Sequence, residues 1–282
     1  DLAKKYRNTI MSGRTHVVHA LPITFGYKAA IWADELGRDI ERLEEMRDRV
    51  FVGEMAGAVG TLASQPEHGL ETQERMFKIL GLKTPTIAWH VARDNQAEFV
   101  SVLALCAGTL GRIMHEILTL QRTEILELEE PFFMGKVGSS TMPHKRNPVA
   151  AASVLAAANR VPVLMASLYQ SMVQEHERSL GAWHAEWLAL PEIFQLCAGA
   201  LSRTLDVLQG MEVNTENMQR NVECTQGLIM AEAVMMTLAP KLGRLNAHHV
   251  VEAACKTAAA EQKHLKDVIA ELDDIKNNFS TA

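Results

Sequence analysis

From about residue 86 to residue 128 an apolar side chain recurs at every third or fourth position, and Phe99, Leu103, Cys106, Leu110, Met114, Ile117 and Leu120 line one side of a helix. A helix of about forty residues is about 60 Å long. That exceeds the width of a small domain, so the helix needs partners of similar length. The rest of the chain offers them. Ile31, Leu36, Ile40, Leu43, Met46 and Val50 mark one face over residues 27–52. Residues 149–176 carry another pattern, with Pro162 as an expected kink, and residues 183–210 carry a third. A shorter helix over residues 71–80 should stop at Gly81. Beyond residue 210, Asn214 is placed to cap a helix whose third position is Asn217, and residues 218–238 and 246–272 read as helical. No alternating run reads as a strand. The expected class is all-α, with a long-helix bundle domain over 1–210 and a smaller C-terminal helical domain over 211–282.

Several stripes are rich in alanine, as in "AAASVLAAAN". Small residues let helices approach closely, and faces this long are expected to be buried against other copies of the chain. With 48% hydrophobic and 22% charged residues the chain has the balance of a soluble globular protein. The net charge of -6, from 28 basic and 34 acidic residues, gives no electrostatic footprint for nucleic acid. An acidic substrate would need a local basic pocket. No run approaches the roughly 18 apolar residues of a membrane span, and no signal peptide precedes the first helix, so neither a membrane nor a secreted location is expected and the default is cytoplasmic. The four cysteines form no C-x-x-C pair, and Cys106, Cys197 and Cys255 lie in apolar helical patterns, as buried free thiols would.

One stretch departs from the helical pattern. "GSSTMPHKRNP", residues 138–148, gathers two serines, a threonine, a histidine, a lysine, an arginine and an asparagine in eleven residues that include two prolines. Pro143 and Pro148 lack an amide hydrogen and disfavour helix before them, and Gly135 and Gly138 loosen the approach. A loop must therefore join two long helices here. A serine can take a proton if its alkoxide is stabilised, and a nearby ammonium and turn amides can do that. Lys145 supplies the ammonium and Asn147 a neutral donor. The glycine-rich "GEMAGAVGT", residues 53–61, lacks the lysine and the strand context of a phosphate loop and reads as a turn. His248 and His249 are adjacent on a helix and so are not expected to share a metal.

The loop resembles the signature G-S-S-x-M-P-x-K-x-N-P of the fumarase/aspartase/argininosuccinate lyase superfamily. "SGRTHVVHALPITFG", residues 12–26, resembles another of its motif regions. The resemblance implies a homotetramer with a twenty-helix core, active sites shared between subunits, and a di- or tricarboxylate substrate with no cofactor and no metal. It implies removal of a proton next to a carboxylate and expulsion of a group from the neighbouring carbon, or the reverse. The implied catalytic residues are Ser139, His16 and Lys145. Those implied to bind substrate are Arg14, Thr15, Ser140, Met142, Asn147, His90 and Arg178. His19 and His144 are further candidates, while Arg93 and Asp94 are expected to pair with neighbours. The family's N-terminal helical domain is expected to be absent from this chain, and the C-terminal one partial.

Two departures narrow the chemistry. Where many relatives carry a glutamate that pairs with the histidine of "GRTH", this chain has Ala152. A carboxylate leaves without a proton because its conjugate acid has a pKa of about 4, whereas an amine needs one. In "HERSLGAWHAEW", residues 176–187, Arg178 is kept, but Trp183 and Trp187 stand where a nucleotide-binding stretch would be. Both features resemble the superfamily's cycloisomerase branch, in which a substrate's own carboxylate adds across a double bond. The alternatives are an adenylosuccinate lyase or another amine-expelling lyase, and a non-catalytic relative or inactive fragment.

Overall fold

The computed structural model describes residues 1–132, 139–272 and 275–276; Gly135 and Gly138 lie outside them. Along the chain run α1 (Leu2–Lys5), β1 (Ile10–Thr15), β2 (Val18–Thr24), α2 (Phe25–Val50), α3 (Gly69–Leu80), α4 (Asp94–Leu120), α5 (Val149–Gln170), α6 (Ala182–Gly210), α7 (Thr215–Glu223), a 3₁₀ turn Leu228–Met230, α8 (Ala231–Leu242), α9 (Arg244–Glu261) and α10 (Leu265–Glu271). Two compact units result. One contains Asp1–Ile31, Thr123–Glu127 and Val213–Ala282, and the other contains Trp32–Arg122 and Leu128–Glu212. The first 31 residues thus group with the C-terminal helices rather than with the long ones.

In the second unit α4, α5 and α6 pack on one another. Val100 and Ala107 from α4, Val161, Leu164 and Leu168 from α5, and Ala189 and Ile193 from α6 form one buried cluster. The alanine-rich pattern has the expected effect, since a Cβ added at Gly111 would stand 2.6 Å from the Ala158 methyl. α5 continues through Pro162 and α6 through Pro191. α3 ends at Gly81 in the left-handed conformation, as its sequence demands.

α4 has 27 residues, not about forty. The residues before Asp94 are drawn out of the helix: the Trp89 amide donates to Glu54 Oε2 at 2.6 Å and its indole N–H to the Gly53 carbonyl at 2.8 Å. Two helices, Asp94–Leu120 and Val149–Gln170, are by length and composition apolar enough to cross a membrane, which corrects the expectation of none. Only 28% of that apolar window of α5 is buried within the chain.

In the first unit α7 packs on β1, the 3₁₀ turn on β2, and α9 on both α8 and α10. The Asn214 side chain accepts the Asn217 amide at 2.9 Å, the expected cap. The helix expected over 218–238 is broken because Gln226 and Gly227 hold φ of 49° and 84°, and Gln262, at 52°, breaks the next one. The sequence did not suggest the hairpin of β1 and β2. Its strands carry a bulge between Ser12 and Arg14 and a proline, Pro22, and little of either is buried, so alternation is faint.

Candidate active site

The signature loop lies in the second unit, between α4 and α5. Ser139 is half-buried, and its Oγ accepts the amides of Met142 at 3.1 Å and Thr141 at 3.4 Å. Two backbone donors thus converge on the one oxygen expected to carry charge. The Lys145 amide donates to the Met142 carbonyl at 3.0 Å, closing the turn that Pro143 begins. Ser140, Met142, His144 and Lys145 are exposed, and Asn147 is half-buried. Among the described residues Lys145 has no carboxylate partner, so its ammonium faces solvent.

The same unit holds a separate pocket of about 470 Å³, lined by Glu54, Gly57, His90, Arg93, Arg178 and Trp183 among others; the described loop residues do not line it. One of its cations is already paired. Arg93 forms a buried ion pair with Glu186, with Nε donating to Oε1 at 2.8 Å. His90 Nε2 lies 3.3 Å from Glu54 Oε1. Arg178 stands apart. Its Nη2 meets the Gly57 carbonyl at 3.2 Å and the His90 ring nitrogens at 3.2 and 3.4 Å, and its guanidinium lies over the Trp183 ring at 5.3 Å. No carboxylate pairs with it among the described residues, so this pocket can accept an anionic group there. Sequence reasoning singled out His90 and Arg178. It passed over Glu54, whose place in the glycine-rich "GEMAGAVGT" reads only as a turn.

Arg14, Thr15 and His16 are in the first unit, at the end of the hairpin. His16 and Val17 form its two-residue turn, with φ of 49° and 63°. A tight turn of this kind needs positive φ at both central positions, where glycine or asparagine is usual. A β-branched residue there is strained by about 1–3 kcal/mol. His16 is exposed and makes no hydrogen bond or ion pair among the described residues. Arg14, implied to bind substrate, is engaged by Glu127, with Nη2 donating to Oε1 at 2.7 Å and Nη1 to Oε2 at 3.0 Å. The Glu127 side chain is fully buried and also accepts from Asn221 at 2.9 Å. His19 Nδ1 lies 3.5 Å from Ser12 Oγ. Burial, and then Arg14, push its pKa down, against an opposing pull from Glu127.

On α9, His248, His249 and Glu252 bring ligand atoms within 4.8 Å of one another, so adjacency in sequence did not keep the two imidazoles apart. All three are exposed, and Glu252 is paired with Lys256 at 2.7 Å.

Known proteins resemble this chain along nearly its whole length. The profile of the Lyase family matches residues 1–163, and that of the adenylosuccinate lyase C-terminus matches residues 227–282. The chain is 61% identical to the 3-carboxy-cis,cis-muconate cycloisomerase of Acinetobacter baylyi over 99% of its length. It is 45% identical to the N-acetyl-S-(2-succino)cysteine lyase of Enterococcus italicus over its whole length. The crystal structure of beta-carboxy-cis,cis-muconate cycloisomerase from Acinetobacter calcoaceticus sp. ADP1 superposes with a TM-score of 0.90 at 58% identity, covering 99% of this chain. In each case the chain spans 62% of the relative's length. Helical architecture, signature loop and relatives lead to one assignment: the chain belongs to the lyase family of the fumarase/aspartase/argininosuccinate lyase superfamily.

Proposed function

We propose that this chain carries the active-site loop of a cytoplasmic 3-carboxy-cis,cis-muconate cycloisomerase, which interconverts that tricarboxylate and 4-carboxymuconolactone. The observation that carries the reading is the pair of amides, from Thr141 and Met142, directed at Ser139 Oγ in a loop that also bears Lys145. In the lactonising direction the substrate's own carboxylate adds across the double bond and forms the C–O bond. The electron pair moves toward a second carboxylate, giving an aci-carboxylate that Lys145 and Asn147 stabilise. Ser139 then delivers its proton to carbon, and its alkoxide is held by the two amides. In the reverse direction Ser139 is the base.

Arg178, with Trp183 beneath it and His90 beside it, binds a further carboxylate. Ser140 and Met142 shape the loop around the substrate. Thr15 and His16 contribute hydrogen bonds from the hairpin, which Arg14 braces through Glu127. Ala152 leaves His16 without the family's usual orienting glutamate, which suits a leaving group that needs no proton. The working form is a homotetramer whose active sites are shared between subunits.

Ser139→Ala tests the assignment. Turnover of 3-carboxy-cis,cis-muconate is expected to fall at least about 10²-fold, the lower range for a proton-transfer group, with unfolding temperature and assembly unchanged. Turnover like that of the unmodified protein in a folded Ser139→Ala variant would remove Ser139 from the chemistry.

A further inference from the structure

α5 begins without a cap of its own. The residue before it is Pro148, its first turn carries no acidic residue, and no side chain next to it in sequence caps it. A helix start leaves amides that need acceptors. Here two of them go to Glu130, which lies twenty residues before Ala150 and is only 2% exposed. Its Oε1 and Oε2 accept the Ala150 amide at 3.2 and 3.1 Å, and Oε2 also accepts the Ala151 amide at 3.1 Å. The neighbouring amides are engaged locally: Val149 donates to the Asn147 carbonyl at 2.9 Å and Ala152 to the Pro148 carbonyl at 3.1 Å. A carboxylate at this end of a helix also meets the positive end of its dipole.

Gln121, just past the end of α4, completes the arrangement. It is 8% exposed, and its Oε1 accepts the Glu130 amide at 3.0 Å while its Nε2 donates to the Arg146 carbonyl at 3.1 Å. One buried pair of side chains therefore grips the loop on both sides of Asn147: at the carbonyl of Arg146, and at the first amides of the helix that follows.

We infer that Gln121 and Glu130 are positioning residues that set where Lys145 and Asn147 stand. The inference rests on the reading of this loop as the reacting segment. Since Glu130 already occupies the amides that open α5, those amides are not available to a substrate carboxylate. Of the two cations on this stretch, Arg146 lies 3.5 Å from Glu212, whereas Lys145 is exposed and needs its backbone held if it is to meet an anion in one place. Displacing such a group by about 1 Å can cost on the order of a hundredfold in rate.

The test uses Glu130→Gln, which keeps size and one acceptor but removes the charge, together with Glu130→Ala and Gln121→Met. Two quantities are read on folded protein, well below its unfolding temperature: kcat with 3-carboxy-cis,cis-muconate, and amide hydrogen exchange over residues 139–152. Glu130→Ala and Gln121→Met are each expected to lower kcat by about tenfold or more. Exchange over 139–152 should speed up while α4 and α6 are unchanged, and Glu130→Gln should fall between these variants and the unmodified protein. If Glu130→Ala destabilises the whole fold, Gln121→Met carries the test, since it removes only the tie to Arg146 and the bond to the Glu130 amide. Unchanged kcat in the folded variants would overturn the inference, whether or not local exchange changes. Ser139→Ala, measured alongside, separates the two ideas. If Ser139→Ala is inactive and the clamp variants are fully active, the clamp fails. If Ser139→Ala is fully active, the reading of the loop fails, and the clamp's catalytic role fails with it.

Discussion

His19 shows how single residues in the hairpin are tuned by what the chain folds around them. Its imidazole is half-buried between Ser12 and Cys224, with the Arg14–Glu127 pair close by. Burial and the Arg14 charge disfavour its protonated form, so its pKa lies below the ordinary 6.5. The unfolded chain then takes up a proton near pH 6.5 that the folded chain resists. The stability linked to His19 is full above that pH and is lost as pH falls from it toward the lower, folded value. Replacing His19 by Gln should flatten the fall in unfolding temperature between about pH 7 and about pH 5; an unaltered slope in His19→Gln would contradict this. The cysteines follow the same logic of burial. The Cys106 thiol is pushed up to about 11, mainly by desolvation, and those of Cys197 and Cys255 are raised for the same reason, while Cys224 is exposed.

At the scale of elements, what was legible in the sequence is what has a period. α2, α3, α5 and α6 begin and end within a few residues of where their apolar stripes do, apart from the C-terminal end of α5, because burial of one face decides each of them. Elements held by distant polar contacts were not legible. The stretch before Asp94 looks helical until Glu54 takes the Trp89 amide, and the hairpin turn at His16 and Val17 lacks the glycine or asparagine that would announce it. The candidate site divides in the same way. Ser139, Lys145 and Asn147 were legible as a local cluster of chemistry that no helix could hold. Glu127, Glu130 and Gln121 were not, because their roles depend on partners that only the fold brings near. The contact between α4 and α5 yields a prediction of its own. Gly111→Ala would set a methyl 2.6 Å from that of Ala158, on the facing helix. Overpacking of this kind should cost about 1–3 kcal/mol, although alanine is otherwise the better helix former. Chemical denaturation measures it, and a Gly111→Ala variant as stable as the unmodified protein would show that the helices can part without cost.

At the scale of the molecule, the long helices leave apolar surface uncovered. On α6 Leu188 is 79% exposed and Leu201 59%, and on α5 Val163 is 58% exposed. Burying such residues is worth about 1.5–3 kcal/mol each, and surface of this kind fits the proposed assembly of four copies. The same helices carry or flank the residues proposed for catalysis, so assembly and activity are expected to go together. The central claim is that this surface and this loop serve carboxylate addition rather than expulsion of an amine or a thiol. The direct measurement is kcat/KM of the purified protein, under one set of conditions, for 3-carboxy-cis,cis-muconate, adenylosuccinate and N-acetyl-S-(2-succino)cysteine. The muconate is predicted to exceed both others by at least about a hundredfold, and a higher kcat/KM for either of the others would contradict the account.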